Sequence, residues 1–197
     1  MKYLFLLLLS LLLTGCATLP SDQAPLNQSM SWEARKTQLQ TVQTWKLEGA
    51  MAIKTPQGGQ TANLAWTQSS AQSYEINLFG PLGAGRISLL GQPNEVTLQA
   101  NGKTQTADSP ELLMQDMLGW QLPVSHAYVW IRGLPATQSH AVLTFDAYHH
   151  LNTLQQNGWT IRYLQFTNVN GIDLPSKIFF ERSHLRMVVV IHSWELS

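Results

Sequence analysis

The chain has 197 residues, a length that suits one domain with a hydrophobic core of its own. Its 12 Lys and Arg residues balance 12 Asp and Glu residues, so nothing indicates a nucleic-acid-binding surface. Only 12% of the residues are charged, which is typical of a surface built from strands rather than from charged helices.

The N-terminus has the pattern of an export signal. Lys2 supplies a positive charge, and the apolar run from 3 to 13 is too short to span a bilayer comfortably. The run leads into the tetrapeptide Leu-Thr-Gly-Cys ending at Cys16, which resembles the lipobox of bacterial lipoproteins. Residues 1–15 are therefore predicted to be a lipoprotein signal peptide, and Cys16 the acylated first mature residue. The alternative is an ordinary signal peptide followed by an unrelated cysteine.

Cys16 is the only cysteine, so no internal disulfide can form and its thiol is free for lipidation with palmitate or a similar chain. By the sorting rule of enteric bacteria, Ala17 after it favours the outer membrane over the inner one. Residues 16–30 contain Pro, Ser and Gln without a hydrophobic period and are predicted to be a lipidated, flexible tether. Residues 31–197 are predicted to form one lipid-binding domain.

A helix is predicted from Ser31, which caps it, to about Thr44, and its thin apolar stripe favours a place on the outside of a sheet. From Trp45 onward the hydrophobic period becomes two, and five consecutive strands present one apolar face. That face consists of Leu47, Gly49, Met51, Ile53, Ala62, Leu64, Trp66, Tyr74, Ile76, Leu78, Ile87, Leu89, Val96 and Leu98. Asn101-Gly102 predicts a hairpin into another short strand.

The stretch from 110 to 135 is the helical passage in the middle of the chain. Ser109 and Pro110 suit the start of one short helix and Gly119 its end, while a second helix stops at Gly133. Two apolar stripes follow from this reading: Leu113, Met114, Met117 and Leu118 on the first helix, and Ala127, Trp130, Ile131 and Leu134 on the second. We expect these helices to close a cavity over the sheet.

Strands return after the helices. Asn157-Gly158 predicts a hairpin, Pro175 is expected to break a strand, and the last strand runs from Leu185 to Trp194. The predicted fold is mainly β with α: a curved antiparallel sheet or incomplete β-barrel of about 10–11 strands, covered by a helical lid. Such a shape leaves room for a ligand.

Motifs for catalysis and nucleotide binding are missing, including G-x-S-x-G, the P-loop and H-E-x-x-H, so no enzyme, catalytic residue or cofactor is indicated. His149 and His150, with Asp146 nearby, are the candidates for a metal site. Adjacent residues on a strand point to opposite faces, so a solvated turn is favoured and no metal is predicted.

The loop of residues 80–85 joins the third and fourth strands. Glycines and a proline flank Leu82, which favours an outward-pointing leucine at Pro81-Leu82-Gly83, although a tight turn with the leucine folded onto the sheet edge is the alternative.

These features together resemble the outer-membrane lipoprotein receptor LolB family over nearly the whole mature chain. The resemblance rests on the lipobox, on Trp45-x-x-x-Gly49, on the Pro-Leu-Gly loop, and above all on Gly119-Trp120-x-Leu122-Pro123-x6-Trp130-x2-Gly133-Leu134-Pro135.

The resemblance implies an incomplete barrel that accepts lipoproteins from the soluble periplasmic carrier LolA and inserts them into the inner leaflet of the outer membrane. Leu82, with Pro81 and Gly83, would be the membrane-insertion loop, and Cys16 would anchor a monomer at the periplasmic face. The implied partners are LolA, lipoprotein acyl chains and outer-membrane phospholipid. The alternative function is another lipid or glycolipid carrier at the same membrane.

The acyl-chain cavity is predicted to be lined from the sheet and from the lid, although ordinary core packing is the alternative for each residue. The predicted lining is Met51, Leu64, Trp66, Ile76, Leu78, Ile87 and Leu89 from the strands, with Leu113, Met117, Leu118 and Trp130 from the helices.

Overall fold

The structure of the protein is a computed structural model, and it describes residues 26, 27, 29–56, 58–80, 85–119 and 122–197. The predicted signal peptide, Cys16, most of the tether, the loop tip Pro81-Leu82-Gly83 and Trp120 lie outside the described residues. No helix in the described part is long and apolar enough to cross a membrane.

The described strands form one antiparallel sheet, open at both edges, and this confirms the predicted fold class. The alternation of apolar and polar residues buries every second side chain of β1 on one face, because successive side chains on a strand point to opposite faces. The eleven strands are β1 (Trp45–Thr55), β2 (Gly58–Gln68), β3 (Tyr74–Phe79), β4 (Ile87–Gln92), β5 (Glu95–Ala100), β6 (Lys103–Ala107), β7 (Ala141–Phe145), β8 (Leu151–Gln156), β9 (Trp159–Val169), β10 (Ile172–Arg182) and β11 (Leu185–Leu196).

The strand order explains why the helices cover the sheet. It runs β6-β5-β4-β3-β2-β1-β11-β10-β9-β8-β7, so β1 pairs with β11 in the middle while β6 and β7 form the two edges. The connection from β6 to β7 must therefore pass from one edge of the sheet to the other. Two of the three described helices lie in this connection, and their side chains pack on the apolar face of the sheet.

The three helices of the described residues follow the local signals in the sequence. They are α1 (Trp32–Thr41), α2 (Pro110–Leu118) and α3 (Val124–Trp130). The Ser109 hydroxyl accepts a hydrogen bond from the Leu112 amide at the start of α2, and Gly119 ends that helix with a φ of 77°. Helix α1 ends at Thr41, whereas the sequence predicts an end at about Thr44.

Helix α1 does not lie on the outside of the sheet as predicted. Its Leu39 is 2% exposed and belongs to the main core cluster together with Trp130 and Leu134. The apolar stripe of α1 is narrow because one of its two buried positions is occupied by Arg35, a charged residue.

Pro175 also departs from expectation, because it lies inside β10 rather than at a break. Proline has no N–H to donate to a neighbouring strand, and the pairing with β9 shifts register between Pro175 and Lys177. The Pro175 carbonyl accepts a hydrogen bond of 3.0 Å from the Trp194 indole. The irregularity thus accommodates the missing donor without ending the strand.

Candidate functional site

A cavity of about 70 Å³ lies between the concave face of the sheet and the helices. Every side chain that lines it is apolar. The lining comprises Met51, Leu64, Trp66, Ile76, Leu78, Ile87, Leu89, Leu98, Met114, Leu122, Pro123, Val124, Ala127, Ile131, Phe180, Met187 and Val189. A space with this lining suits an apolar ligand and offers no group for acid–base chemistry.

All seven residues predicted from the strands border this cavity: Met51, Leu64, Trp66, Ile76, Leu78, Ile87 and Leu89. They come from β1 to β4, whose antiparallel registers place Leu64 beside Leu78 and Leu78 beside Ile87. The alternating pattern identifies them because side chains two residues apart share a face.

The four residues predicted from the helices lie elsewhere. Leu113 is buried in a second, smaller core cluster against β4 and β5, and Met117 and Leu118 pack on the same cluster. Trp130 is fully buried beyond the cavity, and its indole donates a 2.8 Å hydrogen bond to the Gln156 side chain. The side chain of α2 that borders the cavity is Met114, which is next to the predicted Leu113 in the sequence.

Sequence reasoning missed the contributions of the C-terminal strands and of the segment between the two helices. Phe180, Met187 and Val189 project from β10 and β11 on the same apolar face, and their alternation was available as a signal. Leu122 and Pro123 border the cavity from a non-helical connection, for which periodicity gives no signal.

The C-terminal end of α3 is firmly attached. The Tyr163 hydroxyl, whose pKa is raised by burial, donates a 2.8 Å hydrogen bond to the Trp130 carbonyl. The Arg132 guanidinium contacts the carbonyls of Leu39 and Val42 at the end of α1 and that of Tyr128 within α3. Because Arg132 is 3% exposed and its pKa is lowered by burial, these contacts join the two helices in a water-poor environment.

Helix α2 is attached by fewer hydrogen bonds than the C-terminal end of α3. The Glu111 carboxylate accepts hydrogen bonds from the Ser125 amide at 2.9 Å and from the Ser125 hydroxyl at 3.2 Å, which ties α2 to the start of α3. Burial, with a smaller contribution from Glu111, raises the pKa of Tyr74 to about 12. The rest of α2 packs on β5, β6 and the small core cluster.

Two further recesses lie at the end of the sheet that carries the loop of residues 80–86. One has a volume of about 310 Å³; it shares Met51, Leu78 and Ile87 with the cavity and reaches Gly80 and Gly85. The other, of about 320 Å³, lies between the β1–β2 hairpin and the end of α2 at Leu118 and Gly119. Apolar side chains therefore continue from the cavity into the first recess, where Gln60 and Thr61 add polar groups.

The two adjacent histidines have different environments. His149 lies in the exposed turn that the sequence favours, with a φ of 59°, whereas His150 is fully buried and contradicts the prediction of a solvated turn. Its ring bridges Asp146 at 2.9 Å and Asp173 at 3.0 Å, and Arg35 contacts Asp173 at 2.7 Å. Within the described ranges, no group of His, Cys, Asp and Glu residues is arranged to hold a metal ion.

Comparisons with known proteins agree with the resemblance. Residues 43–194 match the family described as outer membrane lipoprotein LolB. The outer-membrane lipoprotein LolB of Pseudomonas syringae pv. syringae is 38% identical over 198 residues, covering 99% of this chain and 96% of that protein. The Pseudomonas aeruginosa (strain LESB58) protein of the same name is 39% identical over 187 residues, covering 93% and 91%.

A solved structure is similar in fold. The LolA superfamily protein from Nitrosomonas europaea superposes with a TM-score of 0.54 at 10% identity and covers 86% of this chain and 94% of its own. That likeness supports the fold alone, whereas the sequence matches extend over nearly the whole length. This chain belongs to the outer-membrane lipoprotein LolB family.

Proposed function

We propose that this protein is an outer-membrane-anchored lipoprotein receptor, with no catalytic activity of its own. It accepts lipoproteins from a soluble, LolA-type periplasmic carrier into the apolar cavity and inserts them into the inner leaflet of the outer membrane. Family membership supports the receptor role, and the cavity beneath the helices carries the proposal for how the cargo is held.

The physical need for such a cavity follows from the cargo. Exposing an acyl chain to water costs about 0.8 kcal/mol per methylene, which amounts to roughly 10 kcal/mol for a chain of a dozen or so. Chains must therefore move between sheltered sites. A lining formed only by apolar side chains provides shelter without a polar group that the chain would leave unpaired.

The cavity is too small for this cargo as it stands. A water molecule needs about 10–15 Å³ on a comparable measure, so about 70 Å³ accommodates only a handful of water-sized groups. The structure is thus a closed form, and cargo entry requires the lid to move. We place the movement at α2, because the C-terminal end of α3 is held by Tyr163 and Arg132 while the end of α2 borders an open recess.

Delivery proceeds downhill from carrier to receptor to bilayer, since the sequence carries no nucleotide-binding motif. The Cys16 acyl chains keep the receptor at the membrane. The loop of Pro81, Leu82 and Gly83 enters the bilayer surface and brings the recess beside Gly80 and Gly85 close to the lipid.

The direct test uses the mature chain with Cys16→Ala, which cannot be acylated at its first residue. A LolA-type carrier loaded with a fluorescently labelled, acylated peptide is mixed with this chain in the absence of nucleotide and membranes. We expect the labelled peptide to transfer to the receptor. Retention of the peptide by the carrier would contradict the proposal.

The same assay separates the second candidate, a carrier of other lipids or glycolipids. In that case the protein would take up a labelled phospholipid or glycolipid from vesicles but would leave the acylated peptide on its carrier. Uptake of the peptide in preference to free lipid supports the receptor function.

A further inference from the structure

The charged residues of the sheet are distributed unequally between its two ends. Neighbouring strands are antiparallel throughout, so the connections after β1, β3, β5, β8 and β10 all emerge at one end. We call this the loop end, because the connection of residues 80–86 lies there. The connections after β2, β4, β7 and β9 emerge at the opposite end.

The loop end is basic. Exposed Lys and Arg side chains surround it on six different strands or connections, and we call them the basic rim: Lys54, Arg86, Lys103, Arg162, Arg182 and Arg186. His184 lies in the β10–β11 connection at the same end. Two acidic residues stand near the rim: Glu181, which pairs with Arg186 at 2.7 Å, and Asp116 on the exposed side of α2.

The opposite end is acidic. Its carboxylates lie on β3, β5 and β11 and in the connections that flank β6 and β7: Glu75, Glu95, Glu195, Asp108 and Asp146. Among the described residues, two bases accompany them: Lys46 on β1, which lies 3.8 Å from Glu195, and the half-buried Lys36 on α1. The near-zero net charge of the chain therefore conceals a separation of charge along the strand direction.

Two members of the rim face each other directly. Lys54 on β1 and Arg186 on β11 are register partners in adjacent strands. Like charges in directly opposite positions destabilise a sheet, and the single carboxylate of Glu181 offsets only one of them. An external anion would relieve this repulsion.

We propose that the basic rim binds the phosphate groups of anionic phospholipids and so orients the loop end towards the bilayer. This inference rests on the proposed function, which requires the recess at the loop end to face lipid. Most rim charges lie at or near the ends of separate strands, while Arg162 is the fourth residue of β9 and lies over the Phe179 ring. Charges spread in this way suit a surface of many phosphates rather than one small anion. The acidic opposite end is repelled by the same surface.

The test measures co-sedimentation of the unlipidated Cys16→Ala chain with vesicles, because acylation would mask weaker contacts. Vesicles of phosphatidylcholine are compared with vesicles in which a quarter of the lipid is phosphatidylglycerol. We expect tighter binding to the anionic vesicles and loss of this preference near 1 M salt, where the Debye length is about 3 Å.

The decisive variant combines Lys54→Gln with Arg86→Gln, and its matched control combines Lys36→Gln with Lys46→Gln. Both remove two positive charges, but Lys46 and α1, which carries Lys36, lie at the opposite end. We expect the rim variant to bind anionic vesicles about 25-fold more weakly, or about fivefold per charge, corresponding to about 1 kcal/mol for each residue. The control should bind at least as well as the parent chain.

Equal binding to both kinds of vesicle, or an equal loss in the control, would overturn the proposal. So would a rim variant that loses binding to a LolA-type carrier while it keeps its vesicle binding, since the rim would then serve an acidic protein partner. Peptide uptake from the carrier is measured in parallel without membranes. A failure of uptake counts against the receptor function, whereas the vesicle result alone decides the role of the rim.

Discussion

Asp173 is the residue on which the buried side chains of Arg35 and His150 converge. Burial by itself would raise its pKa, but several hydrogen bonds to the carboxylate together hold that pKa below its usual value. The donors are the side chains of Asn168, His150 and Arg35 and the backbone amide of Asn27. Asp173 thereby connects α1, the end of the tether, the β7–β8 connection and the strands β9 and β10.

We predict that Asp173→Asn lowers the free energy of unfolding by about 3–5 kcal/mol near neutral pH, because Arg35 would remain buried without a carboxylate. The folded-state pKa of Asp173 lies below its unfolded value. The contribution of Asp173 is therefore fully present above the unfolded pKa and is lost as the pH falls through the folded one. Urea unfolding at neutral and at acidic pH measures the difference between parent and variant.

The exposed residue Glu95 provides the control, since Glu95→Gln should change stability by no more than about 0.5 kcal/mol. The gap between the parent chain and Asp173→Asn should narrow as the solution becomes acidic. A gap of constant size at every pH would contradict the assignment of this contribution to the ionised carboxylate.

Ala127 tests the cavity at the level of one side chain. It lies on α3 and borders the cavity, so Ala127→Leu places three additional carbons into about 70 Å³ of free space. We expect uptake of a labelled acyl peptide to fall at least several-fold, while overpacking costs about 1–3 kcal/mol of stability. Fluorescence titration and urea unfolding of the same sample separate the two effects.

Ala52→Leu is the matched control, because Ala52 is exposed on the outer face of β1. It should leave uptake unchanged. Equal uptake by the Ala127→Leu variant would show that the cargo does not enter the cavity beneath α3.

At the scale of elements, β1 depends on the close approach of β11 at Gly49. A Cβ at this position would overlap the carbonyl oxygen of Val190, and the pairing shifts register between Glu48 and Gly49. We predict that Gly49→Ala costs about 3 kcal/mol, the upper end of the range for overpacking, because the two central strands must separate. Urea unfolding followed by tryptophan fluorescence measures the loss.

Gly59→Ala in β2 is the matched control. A Cβ at Gly59 would lie 3.6 Å from its nearest atom, the Ile53 carbonyl oxygen, which is an ordinary van der Waals contact. Its effect should stay within about 0.5 kcal/mol. Similar losses in both variants would indicate that strand propensity, rather than the approach of β11, explains the requirement for glycine.

Strand faces and hairpin turns are the features of this fold that the sequence predicts. Alternation of apolar residues in β1 to β4 identifies the cavity side of the sheet, because the strand period of two is fixed by backbone geometry. Hairpin turns at Asn101-Gly102 and Asn157-Gly158 follow equally local rules, and both asparagines have positive φ. These features depend only on residues close together in the chain.

Features that depend on distant residues were not predictable in this way. His150 is buried because Arg35 and Asp173, which are remote in sequence, satisfy its surroundings. Pro175 remains inside a strand because a register shift and the indole of Trp194 accommodate it. The choice of Met114 rather than Leu113 at the cavity depends on how α2 packs on β5 and β6, which no single-sequence pattern specifies.

At the scale of the whole molecule, the proposed function assigns cargo binding and membrane delivery to different places. The cavity is formed by the middle of the sheet and the helices, whereas Leu82 belongs to the connection at the loop end. The substitution Leu82→Glu places a negative charge at the position that we propose enters the lipid. It changes no residue of the cavity lining. The two activities should therefore separate in this variant.

We predict that Leu82→Glu takes up labelled acyl peptide from a LolA-type carrier as the parent chain does, but transfers it to vesicles at least tenfold more slowly. Fluorescence transfer measures uptake without vesicles and release with them on the same preparation. Leu82→Met keeps an apolar side chain and should retain delivery, so it controls for the substitution itself. An equal loss of uptake and release in Leu82→Glu would mean that the loop contributes to cargo binding, and the spatial division between cavity and membrane contact would have to be abandoned.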